Sequence, residues 1–235
     1  MSDLCEETLH VPVGTRSVNA YLLHPAGAGP YPGILLLMEL YGVRSWLLAD
    51  ARDLAAEGYT VLVPDLYSEM GLLRFCIRQF FSQAGRANAN ETQQEALREV
   101  FAILDHFTQL PQVDGQRIGA LGQCLTGGFA LHLARRSEVK APVVYHHSLG
   151  MTGAGIDPAD AAEIRQVVQG HFVQPDPFCP RARQERLRQL LGDRLDSHLH
   201  SGVGHGLRSV FRNTVEGRLT WKQTKDFFAT HLKTA

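Results

Sequence analysis

Cys124 stands in the string "ALGQCLTGGFALHLA" (Ala120–Ala134), with Gly122 before it and Thr126, Gly127 and Gly128 after it. A short apolar run precedes the cysteine and a helix-like pattern follows, so the thiol belongs to a strand-to-helix turn. Small-x-nucleophile-x-small is the layout of a nucleophile elbow, with cysteine in the place serine usually takes. Such a turn needs small neighbours because the nucleophile's backbone is strained and the next helix packs close. The start of a helix also favours thiolate over thiol. The motif further requires an acid and then a histidine downstream. "HFVQPDPFCP" supplies Asp176 just after an expected strand, in a turn flanked by prolines, and "SGVGHGLRS" supplies His205 in a glycine-rich loop after the last strand. Histidine would take the thiol proton while the carboxylate fixes its tautomer. Alone, Asp176 reads as a turn aspartate and His205 as a loop histidine. Their order and placement together favour a triad with Cys124.

These residues need a scaffold, and the hydrophobic periodicity predicts one. "LHVPVG" and "SVNAYLL" read as an opening hairpin. "GILLLMEL" and "TVLVPDLY" read as strands covered on both faces. Between them, "SWLLADARDLAAEG" places Leu47, Leu48, Ala51, Leu54 and Ala55 on one helical face and stops at Gly58. "NETQQEALREVFAILDHF" opens on Asn90 and Gln93 as a capping box and continues with apolar residues at helical spacing. Next come strand "RIGALG", helix "LTGGFALHLARR", strand "APVVYHH" and short helix "DPADAAEIRQVV". Strand "GHFV", helix "PRARQERLRQLLGD", strand "LDSHLHSG" and helix "TWKQTKDFFATHL" complete the chain. This alternation predicts one three-layer α/β domain over residues 1–235, with a mostly parallel central sheet flanked by helices. In such sheets the carboxyl ends of the strands hold the site. Residues 68–92 are apolar and aromatic but weakly patterned, which suggests a lid over a pocket.

Composition narrows the function. At 235 residues and a net charge of -1, the chain has neither a basic stripe for nucleic acid nor an acidic tail. The start, "MSDLCEETLH", lacks the basic and apolar regions of a signal peptide. The apolar run Ile34–Met38, which no other exceeds, is too short for a bilayer. The expectation is a cytoplasmic protein without membrane or nucleic-acid partners. Four cysteines without C-x-x-C spacing indicate neither a zinc ribbon nor a redox pair, and Cys5, Cys76 and Cys179 read as small buried apolar residues.

The chain resembles the dienelactone hydrolase family of the α/β-hydrolase fold. The resemblance rests on "MELYGV" (Met38–Val43), "GYTVLVPDLY" (Gly58–Tyr67), "GQCLTGG" (Gly122–Gly128) and the "DPFCP" and "GHGLR" loops. It implies Cys124 as nucleophile, His205 as base, Asp176 as orienter and Glu39 in contact with the resting thiol. Backbone N–H groups of Leu40 and Leu125 would form the oxyanion hole. The implied reaction opens a small ester or lactone through an acyl-cysteine, with no metal or organic cofactor. Tyr41 and Arg208 become candidate substrate-binding residues. The departures are Thr126, where the family carries a glycine, and Arg208, which lies three residues beyond His205 rather than four. A second substrate arginine could be Arg74, Arg78 or Arg86. By its own sequence context Glu39 is either a solvated carboxylate at a loop mouth or a proton-sharing partner of the thiol.

Other readings compete. His198, His200 and His205, with His146, His147 and His171, invite a metal site; an exposed strand bearing histidines is the simpler reading of "HLHSG". A thioester-handling or acyl-transferring, cyclising enzyme on the same triad is a second. A ligand-binding protein with little turnover is a third.

Overall fold

The structure, a computed structural model, describes residues 3–67, 89–147 and 155–233. All eight strands of these residues join one sheet in the order β1-β2-β4-β3-β5-β6-β7-β8. The hairpin β1 (Leu4–Val13) and β2 (Arg16–Pro25) is antiparallel and turns at Gly14, whose φ of +64° glycine adopts without a Cβ clash. β2 also runs antiparallel to β4 (Thr60–Asp65). From β4 onward every pairing is parallel, through β3 (Tyr31–Leu36), β5 (Val113–Gln123), β6 (Val139–Tyr145), β7 (Val168–Val173) and β8 (Leu195–His200).

Helices cover both faces. α1 (Ser45–Ala56) and α6 (Val215–Leu232) lie on one side, joined by Trp221 Nε1 and Lys225 Nζ donating to Asp53 at 2.6 and 3.0 Å. α2 (Ala89–Thr108), α3 (Gly127–Leu133), α4 (Pro158–Glu163) and α5 (Arg181–Leu191) pack in succession on the other. Adjacent β5 residues show the two layers. Ile118 meets Phe107 of α2 across Gly33, and Gly119 lies under Phe228 of α6, where a Cβ would come within 2.9 Å of the ring. Side chains alternate faces along a strand, so both cores bear on the same short segment of β5. The small residues at 33 and 119 let large rings approach the sheet.

Chain order reverses between β3 and β5: β3 continues to β4 on one side, while β5 leads to β6, β7 and β8 on the other. A crevice opens outside the strand ends at such a switch point. The segment after β3 carries Glu39–Tyr41, and β5 ends directly before Cys124.

Most expected elements are present, with shifted limits. α6 begins at Val215, earlier than the "TWKQ" pattern suggests. Thr214 caps it by accepting the Gly217 N–H at 3.1 Å, and Gly217 lies so close to Phe211 that a Cβ would approach its carbonyl oxygen to 2.1 Å. α4 stops at Glu163, where Ile164 is extended. The Asn90 and Gln93 side chains lie outside the described residues, as does 68–88 of the expected lid; residues 89–92 open α2. Cys5 is exposed on edge strand β1, contrary to the buried reading, because an edge position can face water without breaking the core. Cys179 is buried as expected, and Cys76 lies outside the described residues. Among the described residues no helix is long and apolar enough to cross a membrane.

Phe228→Ala should destabilise the protein by about 3–5 kcal/mol, because the ring fills the site opposite Gly119 and Tyr59. Urea unfolding followed by circular dichroism measures it. A loss below about 1 kcal/mol would contradict this packing.

Candidate active site

Cys124 has φ +52°, a left-handed conformation that costs a non-glycine residue of order 1–3 kcal/mol. Its neighbours show how it is tolerated. A Cβ on Gly122 would sit 2.3 Å from the Thr126 carbonyl oxygen, and one on Gly127 would sit 2.7 Å from the His147 Cα. The chain must therefore be bare on both sides for the helix to start against β6. Thr126 contributes a bond that glycine could not. Its Oγ1 accepts the Gln123 N–H at 3.1 Å and donates to the Met38 carbonyl at 2.8 Å. The departure from the family pattern thus ties the turn carrying Leu125 to the segment carrying Leu40. That segment is itself a turn, closed by Gly42 N–H to Glu39 C=O at 2.9 Å and pinned by Tyr67, whose hydroxyl donates to the Leu40 carbonyl at 3.0 Å.

Asp176 and His205 meet as the triad requires. His205 Nδ1 lies 3.0 and 2.9 Å from the two oxygens of Asp176, so its N–H donates to the carboxylate. Backbone N–H groups of Phe178 and Cys179 also donate to Asp176 Oδ1, at 2.9 and 3.0 Å. Burial alone would raise this carboxyl's pKa. The His205 bond and charge and the two amides outweigh it and hold Asp176 below the usual carboxylate value. For His205, burial disfavours the cation, yet hydrogen bonds to Asp176 and Cys124, with their charges, lift its pKa to about 9. Carboxylate and Cys124 thus both favour the imidazolium form. Cys179, by contrast, is pushed up to about 12 by burial and then by the Asp176 charge, which leaves its thiol inert.

Glu39 is buried at 3% exposure, and its Oε1 has no hydrogen-bond partner among the described residues. Burial raises its pKa, and a Ser209 hydrogen bond and the His205 charge only partly oppose this. Among the two readings of this residue, the solvated one does not fit the burial. Leu40 and Tyr41 stand at the mouth, 44% and 52% exposed, and Phe178, 61% exposed, lies 5.0 Å from the His205 ring.

Arg208 requires a correction. It is not at the mouth: it is buried, with Nη2 and Nε donating to Asp50 at 2.5 and 3.2 Å and Nη1 donating to the Gly217 carbonyl at 3.1 Å. Its guanidinium also stacks 4.4 Å from the Trp221 ring. A buried carboxylate on α1 attracts this arginine more strongly than an open pocket would. Sequence reasoning missed Asp50 because an aspartate on an amphipathic helix reads as solvated. Arg74, Arg78 and Arg86 lie outside the described residues.

The histidines of "HLHSG" are also placed differently from the exposed-strand reading. α6 covers them: His200 is buried between His171 (Nδ1 to Nε2, 3.0 Å) and Glu216 (3.0 Å), and His198 pairs with Asp196 at 3.0 Å. Among the described residues the donor set compact enough for a metal ion is instead His146, Asp176 and His205, with one ligand atom from each within 4.8 Å of the others. Asp176 and His205 are already engaged with each other there.

A model of the dienelactone hydrolase family matches residues 18–232. The chain belongs to the dienelactone hydrolase family. A relative from Azospirillum brasilense, named "Putative carboxymethylenebutenolidase", is 28% identical over 95% of this chain and 98% of its own length. One of the same name from Synechocystis sp. is 26% identical over 98% and 99%. The dienelactone hydrolase structure from Anabaena variabilis superposes with a TM-score of 0.73 at 18% identity, covering 97% of this chain and 99% of that one. One from Klebsiella pneumoniae, titled a "Putative Dienelactone Hydrolase", gives 0.78 at 20%, covering 97% and 100%. The fold of this dienelactone hydrolase family member is accordingly the three-layer α/β-hydrolase fold.

In this family member Arg208→Ala should cost about 3 kcal/mol, the lower end for a broken buried ion pair, because Arg212 still reaches Asp50 at 2.9 Å. KM for a carboxylate-bearing ester should stay unchanged. A selective rise in that KM with stability intact would return Arg208 to substrate binding.

Proposed function

We propose that the protein hydrolyses small carboxylic esters or lactones through an acyl-cysteine on Cys124. The observation that carries this reading is the His205 imidazole, bonded to Asp176 at 2.9 Å and held towards the cation by both Asp176 and Cys124. His205 takes the thiol proton, and the thiolate attacks the substrate carbonyl. The Leu40 and Leu125 N–H groups hold the oxygen of the tetrahedral intermediate. Its collapse breaks the ester C–O bond, and the His205 imidazolium protonates the leaving oxygen; in a lactone that oxygen stays on the acyl chain. Water then gives a proton to His205 and attacks the thioester, which releases the acid and returns the thiol. The apolar mouth of Leu40, Tyr41 and Phe178 suits an aryl or alkenyl portion of the substrate. The hydrolase names of the full-length relatives agree with this class.

Acid-quenched reaction mixtures should show an acyl adduct on Cys124 by peptide mass mapping, absent from an inactive Cys124→Ala variant. Hydrolysis retained in Cys124→Ala would overturn the mechanism. The His205 pKa, raised from 6.5 to about 9, supplies a pH test. Its stabilising interactions are complete below about pH 6.5 and are lost as pH rises through about 9. We expect kcat/KM to fall on the alkaline side near pH 9, where the imidazolium that holds the Cys124 proton and protonates the leaving oxygen is lost. In Cys124→Ala the His205 titration, followed by NMR, should move down, because the thiol partner is gone. An unmoved titration would mean that Cys124 and His205 are not coupled.

Glu39 shares or lends a proton beside the thiol. Glu39→Gln keeps its shape, so it should leave Tm within a few degrees and lower kcat about 10²-fold on carboxylate-bearing esters, less on neutral ones. Equal losses on both would separate Glu39 from substrate-linked activation. Unchanged kcat on both would remove it from the chemistry.

A further inference from the structure

Two rings lie against the His205 imidazole: the exposed Phe178, its centroid 5.0 Å away, and His146, its centroid 4.2 Å away at a tilt of 43°. His146 is the residue after β6 and is 1% exposed. Its backbone N–H donates to the His171 carbonyl at 2.9 Å, so it still follows the β6–β7 pairing. Its φ is nevertheless +33°, a left-handed value rare for any residue but glycine. With Cys124, it is one of two non-glycine residues of positive φ among the described residues. Both stand at the carboxyl ends of neighbouring parallel strands, beside the same imidazole.

The side chain makes a bond that matters to the catalytic loop. His146 Nε2 accepts the backbone N–H of Gly206, the residue directly after His205, at 3.2 Å. Gly206 in turn has φ +93°, and its carbonyl accepts N–H groups of Ser209, Val210 and Phe211 at 3.2, 2.9 and 3.1 Å. Gly206, directly after His205, is therefore held at both its N–H and its C=O. Accepting at Nε2 requires the unprotonated nitrogen there and the hydrogen on Nδ1, hence a neutral ring. The surroundings keep it neutral: burial first, then the charge of His205, opposed by Asp176 and reinforced by His147 and His200, bring its pKa to about 3. A neutral ring can lie against His205 while that ring becomes a cation, whereas a charged one would repel it.

We propose that His146 is a positioning residue, whose imidazole fixes the His205–Gly206 peptide and backs the His205 ring so that it stays aligned between Asp176 and Cys124. The proposal rests on the triad reading above. The choice of histidine follows from the three demands made at this place. A phenylalanine would back the ring but leave the buried Gly206 N–H without its acceptor. An asparagine would tolerate the left-handed backbone and offer an acceptor, but not the ring surface. Histidine meets the acceptor and ring demands together, and it does so on a backbone that glycine or asparagine would adopt more readily.

The test compares His146→Phe and His146→Asn with the unaltered enzyme on a small aryl ester. His146→Phe should lower kcat about 10-fold to 100-fold with little change in KM, since a small misplacement of a catalytic group has effects of that size. Its alkaline limit in kcat/KM should move below about 9, because His205 loses alignment with the groups that raise its pKa. The downfield proton resonance of the His205–Asp176 hydrogen bond should broaden or shift. His146→Asn should recover part of the rate and part of the pH limit. If His146→Phe lowers Tm sharply, His146→Asn carries the test through its pH limit and proton resonance. Unaltered pH limits and an unmoved resonance in both variants, whatever happens to rate or Tm, would reduce His146 to a packing residue and overturn the proposal. Cys124→Ala separates the two readings. Activity retained in that variant defeats the triad itself, whereas an inactive Cys124→Ala beside an unaffected pH limit in the His146 variants defeats only the positioning role.

Discussion

A cysteine held at φ +52° at the end of β5 sets terms that much of the molecule must meet. The turn can stay left-handed only if α3 begins at once, and α3 can begin there only if Gly122 and Gly127 carry no side chain. The position also fixes where partners can come from. β5 borders β3 at the switch of strand order, so the segment after β3 is the near source of backbone donors and of Glu39. β6, β7 and β8 lie on the other side, and Asp176 and His205 arrive from the loops after β7 and β8. Thr126 joins the two halves by binding Gln123 and Met38 with one hydroxyl. Strain at one residue is thus held by packing and hydrogen bonds distributed over five strands.

Buried charge is managed in two different ways. Asp50 is enclosed by Arg208 and Arg212, and burial still raises its pKa against their pull. That cluster joins α1, the His205 loop and α6, and its electrostatics serve attachment. Asp176 receives two backbone N–H groups and one imidazole, which leaves it ionised. Glu39 receives less, so burial leaves it easier to protonate. Two carboxyls near one imidazole with opposite pKa displacements can take different parts in proton traffic. Stability and chemistry are joined through the loop that carries both His205 and Arg208.

The sequence made the strand and helix order legible because buried parallel strands are near-continuous apolar runs and the helices have one apolar face. It also made Cys124, Asp176 and His205 legible as candidates, because the turn chemistry around each is local. What it concealed depended on long-range contact. Arg208 follows His205 and invites a substrate role, but its direction is decided by Asp50, 158 positions away. The early start of α6 was hidden by Gly217, a poor helix former retained where Phe211 leaves no space. Thr126 read as a departure, since the carbonyl it binds belongs to another strand's loop.

The histidines show most clearly why residue type alone does not locate chemistry. His171, His198 and His200 fall under α6, where Gln169, Asp196, Glu216 and Thr224 stand within hydrogen-bonding reach and the rings stack on one another. Buried polar groups satisfied in this way specify how α6 seats on β7 and β8. They do not open to a substrate. His146 and His205 lie on the same side of the sequence pattern but at strand ends, where backbone N–H groups and a thiol are the available partners. There one ring is driven towards the cation, to about 9, and its neighbour is held neutral, down to about 3. Two imidazoles 4.2 Å apart cannot both be charged without strong repulsion, so the pair divides the work that either ring could do alone. In the proposed mechanism the ring bonded to Asp176 moves protons, and the ring bonded to Gly206 keeps it in place.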